Sequence, residues 1–266
     1  MKRYMIFLAY DGTAYHGWQI QPHSTSVQEE LQKALSTLLR TDIEVVGAGR
    51  TDTGVHARRM AAHFDFAEEL DTKQTAYKLN RILPKDISIL SIEGVADDLH
   101  ARFSATERTY HYYIHTRKNP FLCHYSLETH YDLDFNKMNE AAAILLNTSD
   151  FGAFCKSHSD VKTTLCNVTE ARWIQVADDQ WYFRITANRF LRNMVRAVVG
   201  TLVDVGRAKI TLDDFRKIIE GKKRSDAGES MPAHALFLEN VKYWNYFYYL
   251  CTGLRIKLWH EISSKV

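Results

Sequence analysis

The sequence predicts an α+β protein built from two ferredoxin-like (split βαβ) domains with antiparallel sheets. Strand and helix patterns follow one another as β-α-β-β-α-β over residues 1–95, which is the split βαβ order. A similar order of longer elements follows in the second half. The composition of the 266 residues, 45% apolar and 25% charged, is typical of globular proteins and excludes collagen-like, low-complexity and wholly disordered chains. At roughly 150 residues per domain, this length fits one large domain or two small ones.

The first half of the chain carries clear start and stop signals. An apolar, β-prone run is stopped by Asp11-Gly12, and Ser26-x-x-Glu29 resembles a capping box ahead of apolar residues at helical spacing. Asp71 can cap a second helix, which Pro84 ends. These signals predict strands over residues 3–10, 43–48, 60–66 and 87–95, and helices over 27–40 and 71–82.

The second half repeats this order without a sequence self-similarity that would prove a duplication. The patterns predict a strand over 103–116, a helix over 135–146, a hairpin of 163–176 with 181–187, helices over 189–205 and 212–219, and a strand over 236–243. We therefore expect domains at residues 1–104 and 105–244. An aromatic-rich tail, 245–266, has no evident place in either domain.

Charge is unevenly distributed along the chain, although the formal net charge is only +2. The segment 184–224 holds 11 Lys and Arg against 4 Asp and Glu, a local excess of +7. Such a segment indicates either an anionic partner with a defined footprint or a solvated helical face.

The four cysteines are Cys123, Cys155, Cys166 and Cys251, widely spaced and without a C-x-x-C pair. This pattern is typical of buried thiols in a reducing compartment and not of a disulfide frame or a zinc site. No apolar run reaches the ~18 residues of a membrane span. We expect a cytoplasmic protein.

The segment from Gly47 to Ala57, GAGRTDTGVHA, is the densest cluster of small and functional residues. It is not a dinucleotide fingerprint, because its third glycine is displaced and a strand follows it. Its glycines allow close backbone approach around Arg50 and Asp52. A carboxylate beside a guanidinium stays ionised, which suits a nucleophile or an electrostatic stabiliser. The alternative is a turn aspartate that bonds the backbone.

The strand pattern RTYHYYIH at 108–115 places Tyr110, Tyr112 and Ile114 on one face of a sheet. His111 and His115 lie on the other face, roughly 13 Å apart, too far to share a metal ion. Aromatic side chains on an open sheet can stack on nucleobases, but side chains in this pattern also serve as ordinary core.

Three arginines follow a helical spacing. Arg189, Arg192 and Arg196 stand at i, i+3 and i+7, which would form one stripe of the predicted helix over 189–205. Because no acidic residues are interleaved, the stripe predicts phosphate binding or, equally, a plain solvated face.

Taken together, these segments resemble the tRNA pseudouridine synthase A (TruA) family. The matching blocks run in order over about residues 3–243: YDG at 10–12 with GWQ at 17–19, SVQ at 26–28, GRTDxGVHA at 49–57, HARFSA at 100–105 with RxY at 108–110, DF at 150–151 with Phe154, and NxFL at 188–191 with MVR at 194–196. One departure is Ala235, which stands where the family usually has glycine.

The resemblance implies a reaction and a role for five residues. The family isomerises uridines at positions 38–40 of the tRNA anticodon stem-loop to pseudouridine, using base flipping. By resemblance, Asp52 is the nucleophile, acting by attack on C1′, by addition to C6, or by promoting a glycal route. Tyr110 lies against the target base, Arg196 partners Asp52, Arg50 holds the extruded nucleotide and Leu236 packs against the uracil.

The resemblance also implies the surroundings of this chemistry. It predicts a central cleft between the domains, phosphate contacts from Arg189 and Arg192, a homodimer whose tRNA spans both subunits, and no cofactor or metal. A non-catalytic tRNA-binding protein or RNA chaperone is the alternative from another class, and a metal-dependent nuclease is a weaker one.

Overall fold

The computed structural model describes residues 1–156 and 161–243. Over these residues the protein has the predicted α+β architecture. The strands are β1 (Lys2–Tyr10), β2 (Val46–Gly47), β3 (His56–Phe66), β4 (Ile87–Val95), β5 (Ala105–His115), β6 (Leu127–Glu128), β7 (Val168–Ala177), β8 (Gln180–Ala187) and β9 (Leu236–Tyr243). The helices are α1 (Val27–Leu39), α2 (Thr72–Ile82), α3 (Phe135–Ile144), α4 (Met194–Gly206) and α5 (Leu212–Gly221).

All nine strands of the described residues belong to one mixed sheet. Its order is β4-β1-β3-β9-β5-β8-β7, with β2 beside β3 and β6 beside β5. β9 pairs in parallel with β3, through His56 opposite Phe237 and Ala57 opposite Leu238, and antiparallel with β5. The expectation of separate antiparallel sheets is therefore corrected: β9 lies between the two halves and makes their sheets continuous.

Local capping sets the starts of the first two helices, as the sequence predicts. The Ser26 hydroxyl accepts a hydrogen bond from the Glu29 N–H, and the Asp71 carboxylate accepts one from the Gln74 N–H. Each bond satisfies an N–H that has no partner within its helix.

Two hydrophobic clusters lie on either side of β9. One contains β1, β3 and the buried face of α1, and the other contains α3, α4, α5 and the inner face of β5, β7 and β8. β9 contributes Leu238 to the first cluster and Leu236 to the second. Because α4 is buried along nearly its whole length, its N-terminus is rigidly placed at the boundary of the two clusters.

In the first half of the chain, two strands start more than one residue away from their predicted positions, and in the second half β7 starts at Val168, five residues after the predicted 163. The strand expected over 43–48 is only Val46–Gly47, because the Ile43 and Val45 N–H groups donate to the side chains of Ser36 and Gln32 on α1 instead of pairing with a strand. β3 begins at His56, four residues before the predicted start, so that it follows the glycine-rich segment directly.

The helix predicted over 189–205 is shorter at its start. α4 begins at Met194, and Asn193 has a left-handed backbone with φ 66°, which ends any helix running from 189. The Arg192 carbonyl accepts a hydrogen bond from the Lys156 N–H at 3.1 Å. The prediction that Arg189 and Arg192 share a helical stripe with Arg196 is therefore wrong, because both arginines lie in the preceding loop.

The cysteine prediction holds in part. Cys155 and Cys166 are buried thiols, but Cys123 is exposed in the turn between β5 and β6. Cys251 and the tail 245–266 lie outside the described residues. None of the described helices combines the length and apolarity needed to cross a membrane.

Candidate active site

Asp52 lies at the first position of a tight turn that leads directly into β3. The Asp52 carbonyl accepts a hydrogen bond from the Val55 N–H at 3.1 Å, and Gly54 takes φ 76° at the third position of the turn. The Gly54 N–H donates to the Tyr15 carbonyl at 3.3 Å. The carboxylate is thus carried by a turn held at both ends and is 30% exposed.

The turn after β1 packs closely against the Asp52 turn. The Tyr10 and Thr51 hydroxyls share a buried hydrogen bond of 2.8 Å. A Cβ at Gly12 would lie 2.1 Å from the Val55 carbonyl oxygen, and one at Gly17, where φ is 91°, would lie 2.3 Å from the Thr51 carbonyl oxygen. Only glycine at these two positions lets the backbones approach this closely.

Two arginines from the second half reach the Asp52 carboxylate. Arg196 Nη1 lies 3.6 Å from one carboxylate oxygen, and Arg192 Nε lies 4.0 Å from the other. Arg196 is held by Met231, whose carbonyl accepts from Arg196 Nε and whose N–H donates to the Arg196 carbonyl at 3.2 Å. The structure therefore brings Asp52 and Arg196 together across the boundary of the halves, with Arg196 fixed by backbone contacts.

Tyr110 faces the same space from β5. It is half-buried, and its ring meets Phe190 edge to face with centroids 5.0 Å apart. Burial and, second, the negative charge of Asp52 raise the pKa of Tyr110, so its hydroxyl keeps its proton at neutral pH. Tyr112, two residues on, is fully buried in the core and donates to the Pro232 carbonyl at 3.0 Å, so for Tyr112 the core interpretation is the correct one.

The remaining predicted site residues differ in their exposure. Arg50 is exposed two residues before Asp52, Arg192 is 63% exposed, and Arg189 is half-buried. Leu236 is buried at the start of β9, where it pairs with Tyr112.

The basic segment 184–224 does not form one unpaired surface. Seven of its eleven basic residues lie within ion-pair distance of a carboxylate. A further one, Arg207, stacks over the Tyr131 ring at 3.6 Å. The net excess of +7 therefore overstates the free positive charge that this segment presents. Among the described residues, no group of three or more His, Cys, Asp or Glu side chains is placed to hold a metal ion.

Sequence reasoning missed the part that His56 plays in the site. The Gly12 N–H donates to His56 Nδ1 at 3.0 Å, and His56 Nε2 lies 3.0 Å from the His234 carbonyl oxygen. Its ring stacks on Phe237 with centroids 4.6 Å apart. The Asp11 carboxylate also lies 3.0 Å from Nδ1. Burial lowers the pKa of His56, and this effect outweighs the negative charge of Asp11, which raises it. The only sequence signal was its place in the block at 49–57.

A second missed network positions Arg196. Arg224 donates to the Ser230 hydroxyl at 2.9 Å, and Asn193 donates to the same oxygen. Ser230 thereby ties the segment before Met231 to the residue that precedes α4. No local pattern in the sequence predicts these contacts, because Asn193 and Ser230 are 37 residues apart and the segment from Arg224 to Ser230 has no periodic pattern.

The fold and this geometry define an α+β protein in which a carboxylate from the first half lies beside arginine side chains from the second half. Comparison with known proteins shows which family of this class the chain belongs to. A family model described as "tRNA pseudouridine synthase" matches residues 6–104 and 141–244, and the chain belongs to this family.

Relatives named "tRNA pseudouridine synthase A" align over nearly the whole chain. The protein of Bacteroides fragilis is 59% identical over 244 residues, covering 91% of this chain and 97% of its own. That of Bacteroides thetaiotaomicron is 57% identical over 245 residues, covering 91% of each chain. That of Bacillus subtilis is 41% identical over 242 residues, covering 90% of this chain and 98% of its own.

Proposed function

We propose that the protein is an isomerase that converts uridines of tRNA to pseudouridine, at positions 38–40 of the anticodon stem-loop. The observation that carries this proposal is the contact of the Asp52 carboxylate with Arg196 at 3.6 Å, on the turn that bears the most specific motif of the family. Family membership supplies the substrate class and the reaction.

The isomerisation exchanges one bond for another and consumes no second substrate. The N1–C1′ bond breaks, the base rotates, and C5 bonds to C1′; the proton on C5 is lost and N1 gains one. The Asp52 carboxylate acts at the sugar–base linkage, and attack on C1′, addition to C6 and promotion of a glycal all require it within bonding reach of the nucleotide. Arg196, held by Met231, keeps the carboxylate oriented toward that position.

The target uridine leaves the base stack before reaction. Extrusion costs a few kcal/mol, which contacts in the site offset. The half-buried Tyr110 ring stacks on the base, and because its pKa is raised its hydroxyl serves as a hydrogen-bond donor. Leu236 packs against the uracil, and the exposed Arg50 side chain holds the nucleotide out of the stack. Arg189 and Arg192 contact phosphates at the edge of the site.

We further infer two split βαβ domains, 1–104 and 105–244, with the cleft between them. The two hydrophobic clusters support this division, except that β9, which belongs to the second domain by sequence, also contributes Leu238 to the first cluster. The resemblance to the TruA family supports a cytoplasmic homodimer with tRNA spanning both subunits.

The test is tritium release from tRNA labelled at C5 of uridine. Wild-type protein should release tritium, whereas Asp52→Asn should release none and bind tRNA within about threefold of the wild-type Kd, because the carboxamide keeps the shape but cannot act as a nucleophile. Asp213→Asn, an 81% exposed carboxylate on α5, is the matched control and should stay active. A fully active Asp52→Asn would remove the nucleophile role. Wild-type binding without any release would instead make the protein a tRNA-binding protein.

A further inference from the structure

The guanidinium group of Arg108, on β5, lies where four backbone segments meet. Nη1 donates hydrogen bonds to the carbonyl oxygens of Ala105 at 3.0 Å and Asn188 at 2.7 Å. Nη2 donates to those of Ala48 at 3.1 Å and Arg102 at 2.6 Å. One side chain therefore serves four carbonyl acceptors. One is at the start of β5, one is in the segment that leads into β5, and the other two are in two different loops.

Two of these carbonyls belong to the loops that carry charged residues of the site. Ala48 precedes Asp52 by four residues, and its N–H is bonded to the Ala61 carbonyl on β3 at 2.8 Å. Asn188 immediately precedes Arg189. The guanidinium thus joins the Asp52 loop of the first half to the arginine loop of the second half.

The chemistry of arginine fits this position. Within the described residues no carboxylate lies at ion-pair distance from Arg108, so the four carbonyl dipoles are what stabilise its charge. Burial, followed by the positive charges of Arg102 and Arg189, lowers its pKa, yet a guanidinium stays protonated in proteins. A planar group with five donors can serve four acceptors at once, whereas the ammonium of lysine offers three donors from one point. Hydrogen bonds from a charged donor are also stronger than neutral ones.

We propose that Arg108 is a positioning residue for the isomerisation, whose guanidinium holds the Asp52 loop and the 188–193 loop at a fixed separation. It acts through backbone carbonyls and not on the substrate. The inference rests on the proposed function. Loss of the shared donor lets the two loops separate, and Asp52 then meets the nucleotide less often in a reactive geometry.

The kinetic test uses Arg108→Gln and Arg108→Lys under single-turnover conditions with saturating tRNA. Because a displacement of about 1 Å at a reacting group can cost about 100-fold in rate, we expect a loss of that order for Arg108→Gln, with tRNA Kd changed less than about tenfold. Arg108→Lys should recover only part of the rate. Arg3→Gln is the matched control: Arg3 is part-buried, pairs with Asp65 and donates to the Leu99 carbonyl, and none of these hydrogen bonds reaches either loop. The rate of this variant should stay within about threefold of wild type.

A second measurement does not depend on activity. Amide hydrogen exchange in residues 47–52 and 188–193 should accelerate at least about tenfold in Arg108→Gln and Arg108→Lys, and not in Arg3→Gln. Unchanged exchange in both loops, or rates within about threefold of wild type in folded Arg108 variants, would overturn the role of Arg108. An inactive wild type would instead contradict the proposed function, while the exchange data would still decide whether the loops are coupled.

Discussion

The hydrogen bond between the Tyr10 and Thr51 hydroxyls gives a sharp test of how the Asp52 turn is held. Tyr10→Phe and Thr51→Val each remove one hydroxyl and keep the shape of the side chain. Both residues are buried, at 4% and 8% exposure, and their hydroxyl oxygens are 2.8 Å apart. Neither hydroxyl can turn to bulk water when its partner is lost.

The expected energies follow from this burial. Each single substitution leaves one buried hydroxyl unpaired and should lower the free energy of unfolding by about 1–3 kcal/mol. The double substitution removes both groups, so its cost should fall short of the sum by about 1–2 kcal/mol. Since Thr51 is the neighbour of Asp52, the single variants should also lose about tenfold in the single-turnover rate.

Urea unfolding of the four proteins measures the coupling, and tritium release measures the rate. Tyr4→Phe is the matched control, because the Tyr4 hydroxyl bonds the Glu68 carbonyl and the Leu70 N–H at the other end of β1. It should be destabilised without a change in rate. Additive unfolding energies, within about 0.3 kcal/mol, would refute the claim that this bond holds the turn.

Three further outcomes are expected. Arg189→Ala and Arg192→Ala should each reduce the salt dependence of tRNA binding by about one counterion, and an unchanged slope would remove that residue from the phosphate contacts. Gly200→Ala should cost about 3 kcal/mol in chemical denaturation, because its Cβ would lie 1.9 Å from the Glu229 carbonyl oxygen; wild-type stability would show that this loop yields freely. Burial and, second, neighbouring positive charge lower the pKa of His63 to about 4. Between pH 6.5 and 4 the unfolded chain therefore binds a proton at His63 that the native protein does not bind. The free energy of unfolding should therefore fall by about 2 kcal/mol more from pH 6.5 to 4 in wild type than in His63→Gln, and identical pH profiles would contradict this assignment.

Elements whose signals are local were predictable. Ser26 and Asp71 cap their helices with their own side chains, so the sequence around each start contains the whole cause. Asn193 shows the opposite case, because its left-handed backbone depends on the buried Leu191 and on Ser230, which lies 37 residues away. The helical periodicity of the apolar residues alone predicts a helix that continues through Asn193.

The same distinction applies to the site. The block at 49–57 placed Asp52 in a glycine-flanked turn, and the structure has it there with Arg196 beside it. Backbone carbonyls, by contrast, have no residue signature, so neither the four acceptors of Arg108 nor the Met231 carbonyl that holds Arg196 could be foreseen. The position of β9 between β3 and β5 could not be predicted either, because the pairing of strands so far apart in the sequence produces no local sequence pattern.

The position of β9 affects how the protein is made. The ribosome delivers the chain from its N-terminus, so β3 and β5 emerge well before the strand that fills the gap between them. Until then both edges present unpaired N–H and C=O groups to the solvent, which is the state most exposed to wrong strand partners. The two halves that carry Asp52 and Arg196 can therefore pair through β9 only after residues 236–243 have been synthesised.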